Sequence, residues 1–305
     1  MALKTPAFTV LERGWLSSNS IVFWGETSAA VVDTGYCTHA GQTLSLIQSA
    51  LNGRDLDRII NTHLHSDHCG GNATLQSHYP NSRTWIPSAS SAAVAAWDQH
   101  QLTYLPAGQQ CPRFSFDHVL QNGESIELGG FDWQIHAAPG HDPESIILFE
   151  PSSRTLISAD ALWENGFGVV FPELEGEHAF DLVGQTLDLI ERLAPLQIIP
   201  GHGKVFSDLP AALTRARSRL AQFQNDPRKH ANYAAKVLIK YKLLEWQQSG
   251  LPQLQHWAQS TPYLNTLHQS HFNSHSFFAW LDLVLGDLVR AQAIQIQGDS
   301  VINCN

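Results

Sequence analysis

The spacing of hydrophobic and polar positions changes at one point of the chain. Up to about residue 208, short apolar runs alternate with turns that contain Gly, Asn, Asp or Pro, a pattern typical of β-strands. Beyond that point, apolar residues recur every three or four positions in stretches rich in Ala, Leu, Gln, Lys and Arg, which predicts helices. We therefore expect two domains, residues 1–208 and residues 209–305.

The first domain is predicted to mix strands and helices. Strands are expected at Phe8–Leu11, Ser20–Trp24, Ala29–Asp33, Arg58–Asn61, Thr84–Ile86, Ser125–Leu128, Trp133–Ala137, Ser145–Phe149, Thr155–Ser158 and Gln197–Ile199. Helices are expected at Gly41–Asn52, Ser88–His100 and Ala179–Leu193. Mixing on this scale indicates a layered α/β domain.

The second domain is predicted to be mainly helical. Its expected helices are Pro210–Asn225, Pro227–Gln248, Leu251–Gln259 and His275–Arg290, and a small hairpin over residues 293–303 follows them. Helices followed by a two-stranded ribbon are similar to a winged-helix arrangement. That arrangement serves nucleic-acid binding in some proteins and plain protein packing in others.

Composition places the chain among folded globular proteins. Its 305 residues are 43% hydrophobic and 15% charged, and no apolar run approaches the roughly 20 residues that cross a bilayer. The first ten residues hold no apolar stretch of the kind found in signal peptides. Four cysteines without paired spacing are expected to be free thiols. We therefore expect a cytoplasmic protein with no membrane partner.

Charge is unevenly distributed along the chain. The net charge is −10, yet residues 212–305 carry nine Lys and Arg against five Asp and Glu, a net +4. A basic tail can mark a nucleic-acid surface or a helical region that docks on an acidic domain. We favour the docking interpretation.

Histidine is unusually frequent, with 16 residues, and several stand where predicted strands end. Four apolar runs each lead into candidate metal ligands, which together are His63, His65, Asp67, His68, His141, Asp160 and His202. In an extended backbone His63 and His65 project to one side, and a turn into Gly70 and Gly71 can bring the next ligands to a second point. This spacing allows two adjacent divalent metal ions, and the donor types suit Zn²⁺ best, with Fe or Mn as alternatives.

The order of these motifs resembles that of the metallo-β-lactamase superfamily over residues 8–205. The matching segments are Val31–Gly35, Thr62–Gly71, Pro139–His141, Ser158–Asp160 and Pro200–Gly203. The resemblance implies an αββα sandwich with its metals at one edge of the sheets, here followed by the helical, winged-helix-like domain.

The same resemblance implies a role for each ligand. It assigns His63, His65 and His141 to one metal and Asp67, His68 and His202 to the other. Asp160 would bridge both metals. Asp67 would also be the catalytic residue that takes or returns a proton when the reaction intermediate collapses.

The expected chemistry follows from charge. Two divalent ions about 3.5 to 4 Å apart can share a bridging water and lower its pKa from about 15.7 to about 7, which makes hydroxide available at neutral pH. Five neutral imidazoles and two carboxylates leave a formal charge of +2 on the metal pair, which favours a developing oxyanion. The sequence thus predicts a dinuclear metallohydrolase.

Residues around the ligands leave alternatives open. Asp33 either accepts a hydrogen bond from a ligand histidine or forms an Asx turn before Gly35. Cys69 is interpreted as a small buried hydrophobic residue beside His68. The pair His271 and His275 has the spacing of a helical metal site, but the Asn-Ser between them favours a helix start.

Two further features bear on the substrate. The aromatic, Gly-containing loop over residues 161–173 is predicted to line the pocket, either contacting substrate or covering the core. Lys204 either meets a substrate carboxylate or forms a surface salt bridge.

Three functions remain open from the sequence. The first is a hydrolase for a small carboxylic ester, thioester or lactone, with the tail as a lid or homodimer surface. The tail is similar to the appended helical domains of the lactamase-beta-like group, which suggests a second function, an endoribonuclease whose basic tail guides RNA. The third is a non-enzymatic regulatory protein that retains the metals. Glyoxalase II enzymes also append helices, but their glutathione-binding basic motif is not found in this sequence.

Overall fold

A computed structural model describes residues 7–26 and 28–304, and its first sheet has six strands. In spatial order these are β1 (Phe8–Leu11), β2 (Ser20–Trp24), β3 (Ala29–Val32), β4 (Arg58–Ile60), β5 (Arg83–Pro87) and β6 (His118–Leu120). The first three pair antiparallel, and β3 to β6 pair parallel. The parallel half therefore directs several carboxyl ends to one edge.

The second sheet has five strands in the order β11-β10-β9-β8-β7. Their bounds are β7 (Ser125–Leu128), β8 (Phe131–Ala137), β9 (Ile146–Glu150), β10 (Thr155–Ala159) and β11 (Gln197–Pro200). Strands β10 and β11 pair parallel, while the remaining neighbours pair antiparallel.

The two sheets bury one apolar layer between them. Ile21 and Val32 from the first sheet belong to the same buried cluster as Trp133, Leu148 and Ile157 from the second. Alternate residues of a strand point to opposite faces, so every second side chain enters this layer. Removal of this apolar surface from water is the main force that holds the sheets together.

Helices cover both outer faces of the pair of sheets. Helices α1 (Ala40–Leu51) and α3 (Asn72–His78) pack on the first sheet, and α6 (Phe180–Leu193) and α7 (Leu209–Asn225) pack on the second. The predicted αββα sandwich is confirmed. Helix α7 begins after Asp208, whose side chain accepts a hydrogen bond from the backbone N–H of Ala211 at 3.1 Å.

The C-terminal part is mainly helical, as predicted. It contains α8 (Pro227–Trp246), α9 (Leu251–Ser260), α10 (Pro262–His271) and α11 (Phe277–Arg290), with a sheet of β12 (Gln248–Gly250), β14 (Ser300–Asn303) and β13 (Ile294–Gln297). Its apolar cluster also includes Ala107, Val169 and Leu174 from the first part of the chain. A boundary near residue 208 stays a prediction, because the two parts share buried side chains. Among the described residues no helix is both long and apolar enough to cross a membrane.

Several short elements differ from the expectation. The single helix predicted at Ser88–His100 is a 3₁₀ turn (Ser88–Ser90) followed by α4 (Ser91–Ala96), which ends where Trp97 adopts a positive φ of 55°. Strands β6 and β12 and helices α2 (Ser66–Cys69), α3, α5 (Phe171–Leu174) and α10 were not expected. Most of them span too few residues to show a period.

Candidate metal centre

Strand direction brings the predicted ligands to one edge of the sandwich. Strands β3 and β4 are parallel, as are β10 and β11. Strand β8 runs in the same direction as β10, because both pair antiparallel with β9. Within each sheet the loops after these strands therefore begin at one edge, and all seven predicted ligand residues follow β4, β8, β10 or β11.

The candidate ligand atoms form three overlapping groups. Within each group they lie within 4.8 Å of one another, and the groups are His63, His65 and His141; His63, His68 and Asp160; and Asp67, His68 and His202. Two of these groups are the sets that the sequence assigned to separate metals. The structure brings all seven residues together, and their assignment to two ions stays a prediction.

Asp160 lies between those two sets. Its Oδ1 is 3.4 Å from Nε2 of His68, whereas its Oδ2 is 3.4 Å from Nε2 of His141 and 3.8 Å from Nε2 of His202. One carboxylate thus faces ligand nitrogens of both sets, which is the position that a bridging ligand requires.

Asp33 orients histidines of both sets. Its Oδ2 accepts a hydrogen bond from Nδ1 of His68 at 2.7 Å and another from the Thr62 hydroxyl at 2.7 Å. The Thr62 oxygen has only one hydrogen, so it accepts from Nδ1 of His63, 3.2 Å away. Nδ1 of both rings is therefore occupied by a hydrogen bond, and Nε2 is the nitrogen that faces the other candidate ligands. Of the two alternatives for Asp33, the contact with a ligand histidine is confirmed.

His65 and His141 form the other part of the cluster. Nδ1 of His141 donates to the Val169 carbonyl at 2.5 Å, which leaves Nε2 free to coordinate. That Nε2 lies 2.7 Å from Nδ1 of His65. On its opposite side, Nε2 of His65 lies 3.5 Å from Oδ2 of Asp142, a residue that the sequence analysis missed although it directly follows His141.

Unpartnered nitrogens test whether this cluster fits a metal. Nε2 of His63 and Nε2 of His68 are buried and have no hydrogen-bond partner among the described residues. Buried polar atoms nearly always have a partner, so two orphans in one cluster indicate a missing one. Imidazole and carboxylate are the donors that Zn²⁺ and similar divalent ions take. The residues present fit divalent metals.

Electrostatics favour a cation at the same place. Burial holds the pKa of His63, His65 and His141 below its ordinary value, so these rings stay neutral and can donate a lone pair. Burial acts in the same direction on His68, but the nearby carboxylates, Asp33 first, outweigh it and raise the pKa of His68 well above its ordinary value. The potential at His68 is thus strongly negative.

Two glycines let the backbone approach the ligands. A Cβ on Gly201 would collide with Oδ1 of Asp160, and one on Gly168 would collide with the ring of His141. Gly201 precedes His202 in the Pro-Gly-His motif. The absence of a side chain at this position is therefore a requirement of the ligand geometry.

A cavity of about 340 Å³ opens onto the ligand cluster. The loop over residues 161–173 lines it, as predicted. Within that loop Nε1 of Trp163 donates to Oδ1 of Asp160 at 3.2 Å. Trp15, which is 56% exposed, stacks on His202 with ring centroids 5.3 Å apart and an interplanar angle of 10°. Its position before β2 gave no sequence signal for this contact.

Two further predictions concern residues outside the ligand set. Cys69 is fully buried and its Sγ faces Tyr104 and Cys111 rather than the ligands, so the packing interpretation is confirmed. Neither His271 nor His275 belongs to a potential metal group among the described residues, and α11 begins after Ser276.

The sequence matches a known protein family over most of the first part of the chain. The profile of the metallo-beta-lactamase superfamily matches residues 13–202, which is more than half of the chain and holds every candidate ligand. The chain belongs to the metallo-β-lactamase superfamily. Membership of this superfamily explains why the ligand motifs of this chain occur in the family's order.

Relatives within the superfamily are named as hydrolases. The hydroxyacylglutathione hydrolase of Legionella pneumophila (strain Lens) is 25% identical over 199 residues, 65% of this chain and 65% of that protein. The acyl-coenzyme A thioesterase MBLAC2 of Homo sapiens is 26% identical over 232 residues, 65% of this chain and 78% of that protein. The matched region thus spans slightly less than two thirds of the Legionella protein.

Solved structures share the fold. A metallo-beta-lactamase family protein from Thermus thermophilus superposes with a TM-score of 0.59 at 18% identity and covers 98% of this chain and 99% of that chain. Another neighbour, crystallised in a di-iron-bound form, has a TM-score of 0.50 at 20% identity and covers 68% of this chain and 98% of that chain. The first similarity extends over the C-terminal helices as well.

Proposed function

We propose that this protein is a dinuclear metal-dependent hydrolase that cleaves a small carboxylic thioester. The observation that carries the proposal is Asp160, whose two oxygens face ligand nitrogens of two separate sets. Zn²⁺ is the ion that the donor set suits best, with Fe or Mn as alternatives.

The ligand residues would hold the two ions at the edge of the cavity. When bound, two divalent cations would activate a water molecule as the nucleophile and stabilise the negative charge on the thioester carbonyl oxygen. Asp33 and Thr62 hold the protons of His68 and His63 on Nδ1, so the coordinating nitrogens of these two ligands need no rearrangement.

Asp67 is the proposed proton carrier. It lines the cavity, and its Oδ2 lies 3.0 Å from Nε2 of His202. Burial raises the pKa of Asp67, but His68 and His202 outweigh burial and hold it below its ordinary value. Asp67 is therefore ionised at neutral pH and able to accept a proton from the attacking water.

Two observations support a thioester as the substrate: the names of the relatives and the charge at the cavity. Both named relatives act on acyl groups, one on hydroxyacylglutathione and one on acyl-coenzyme A. Lys204 is exposed, lines the cavity and forms no ion pair among the residues that the structure describes. It suits an anionic group on the thiol part of the substrate, which favours the substrate alternative for Lys204.

Three lysines of the tail make contacts within the C-terminal part. Nζ of Lys242 pairs with Glu245 at 2.6 Å, Lys236 lies 3.9 Å from Asp287, and Lys240 donates to the Ala293 carbonyl at 2.8 Å. These basic groups are used within the C-terminal part. These contacts give no support to RNA as the substrate, so RNA cleavage is included only as one possible result of the test.

Metal analysis coupled to a hydrolysis screen tests the proposal. We expect two divalent ions per chain and turnover of thioesters that chelation abolishes and Zn²⁺ restores. His202→Ala should lose the ion of its own set together with the turnover, whereas His178→Ala, an exposed histidine outside the cluster, should keep two ions and the turnover. Cleavage of RNA instead of thioesters would support the endoribonuclease. No turnover of an ester, thioester, lactone and phosphodiester panel at full metal load would support the regulatory protein.

A further inference from the structure

One face of helix α8 forms a wall of the cavity beside the ligands. Tyr233, Val237 and Tyr241 follow one another at intervals of four residues, so they share a face of the helix. All three line the cavity that also contains His65 and Asp160. The wall thus comes from the end of the chain, whereas the ligands come from its first 202 residues.

This wall is apolar and held in place. The Tyr241 hydroxyl donates to the Leu16 carbonyl at 3.3 Å, so its ring presents hydrocarbon to the cavity. The Arg219 guanidinium lies over the Tyr233 ring at 5.4 Å from its centroid. Leu238 is buried beside them and lines the same cavity. Because these side chains are already fixed, ordering them costs little free energy when a ligand binds to this face.

The cavity has two chemically different ends. Its buried wall on α8 is mainly hydrocarbon from Tyr233, Val237, Leu238 and Tyr241, with the Arg219 guanidinium packed on the Tyr233 ring. Lys204, Glu164 and Asn165 are exposed and polar where the cavity meets solvent. A substrate carbonyl at the ligand cluster would have one substituent near each end. The apolar substituent belongs at the buried end, because only there does binding remove apolar surface from water.

We propose that the α8 face of Tyr233, Val237 and Tyr241 is the subsite for the acyl group of the substrate, and that it selects an apolar acyl group. This inference rests on the proposed thioester hydrolysis and specifies which half of the substrate the C-terminal helices recognise. The thiol half then lies toward Lys204 and solvent.

A series of thioesters that share one thiol and run from acetyl to octanoyl tests the subsite. We expect kcat/KM to rise about fourfold for each methylene that becomes buried, until the cavity is full. Val237→Phe should lower the ratio of kcat/KM for the octanoyl substrate to kcat/KM for the acetyl substrate by more than tenfold. Val237→Ala should move the optimum to longer acyl chains. This variant tests the subsite if the Val237→Phe protein does not fold.

Val289→Phe is the matched control. Val289 is 39% exposed on α11, outside the cavity, so the same substitution there should leave the chain-length profile unchanged. A profile that does not depend on acyl length, or one that both Phe variants alter equally, would overturn the subsite.

Binding separates failure of the subsite from failure of the proposed reaction. Thioether analogues, which cannot be hydrolysed, should bind the metal-loaded protein more tightly as the alkyl chain grows, by calorimetry. Chain-dependent binding without hydrolysis of any thioester would retain the subsite and reject the reaction. Hydrolysis with equal kcat/KM for acetyl and octanoyl substrates would retain the reaction and reject the subsite.

Discussion

The edge of the sandwich that carries the candidate ligands (the metal edge) and the face of α8 formed by Tyr233, Val237 and Tyr241 (the α8 wall) border one cavity. The two are built in different ways. At the metal edge, polar side chains are buried and oriented by hydrogen bonds such as those of Asp33. On the wall, Tyr233 and Val237 are oriented by packing in the C-terminal apolar cluster, and Tyr241 by packing against Leu16 and Tyr36. Under the proposed function, the strand ends would carry the chemistry and the appended helices would set the substrate preference.

Asp160→Asn should produce the largest effect and confine it to the metal edge. The amide cannot supply two anionic oxygens, so both ions should bind more weakly together and turnover should fall by more than about 100-fold, since loss of a mere supporting partner already costs 10–100-fold. Metal content and kcat measure this, with circular dichroism as the check on folding. A variant that retains two ions and full activity would contradict the bridging position.

His230 connects the two regions, and its effect should appear in acid. Its buried Nε2 accepts a hydrogen bond from the Val170 N–H at 3.1 Å, and burial lowers its pKa to about 4. The unfolded chain binds this proton near pH 6.5, so stability from His230 is complete above that pH and is lost as the pH falls toward 4. The loss should reach about 3 kcal/mol.

His230→Gln is the variant that isolates this contribution. Glutamine retains an acceptor for the Val170 N–H but does not titrate, so the free energy of unfolding should fall less between pH 7 and pH 4 than in the natural protein. Urea unfolding at both pH values measures the difference. Parallel pH dependences in the two proteins would show that His230 does not couple α8 to the site loop.

Asp33→Asn should weaken metal binding by 10–100-fold without removing any ligand. Asp33 accepts on both oxygens, from the Thr62 N–H on Oδ1 and from His68 and the Thr62 hydroxyl on Oδ2. An amide has only one acceptor oxygen and places a donating NH₂ against one of these donors, so ligands of both sets lose their orientation. Thr62→Val should affect only the set that contains His63. Competition with a chromophoric chelator measures each affinity, and equal losses at both ions in Thr62→Val would refute the relay through Thr62.

Trp163→Phe should have the smallest effect. It removes the N–H that donates to Oδ1 of Asp160 but keeps an aromatic ring beside His202. Loss of one hydrogen bond to a charged group is worth about 1.5–3 kcal/mol, of which the coordinated carboxylate should lose only part. We expect a metal affinity reduced about fivefold, measured by the same competition. An unchanged affinity would show that the indole only covers the site.

The ligand edge could be predicted because each part of it leaves a local signal. His63 to His68 stand within six residues after an apolar run, and His141, Asp160 and His202 each follow another one. Asp142 and Trp15 were missed for the opposite reason. A single acidic residue in a loop and a single exposed tryptophan have no period or spacing that points to a partner elsewhere in the chain.

The sequence alone determined a layered α/β part, a helical tail and the seven candidate ligands, because hydrophobic period and strand-end position are local properties of the chain, whereas the αββα order was implied only by the family resemblance. Only the tertiary structure decided that Asp33 orients histidines of both sets and that Tyr233, Val237 and Tyr241 face the ligands. Those contacts join residues far apart in sequence, and their geometry depends on how helix α8 packs against the sandwich, which no local pattern encodes.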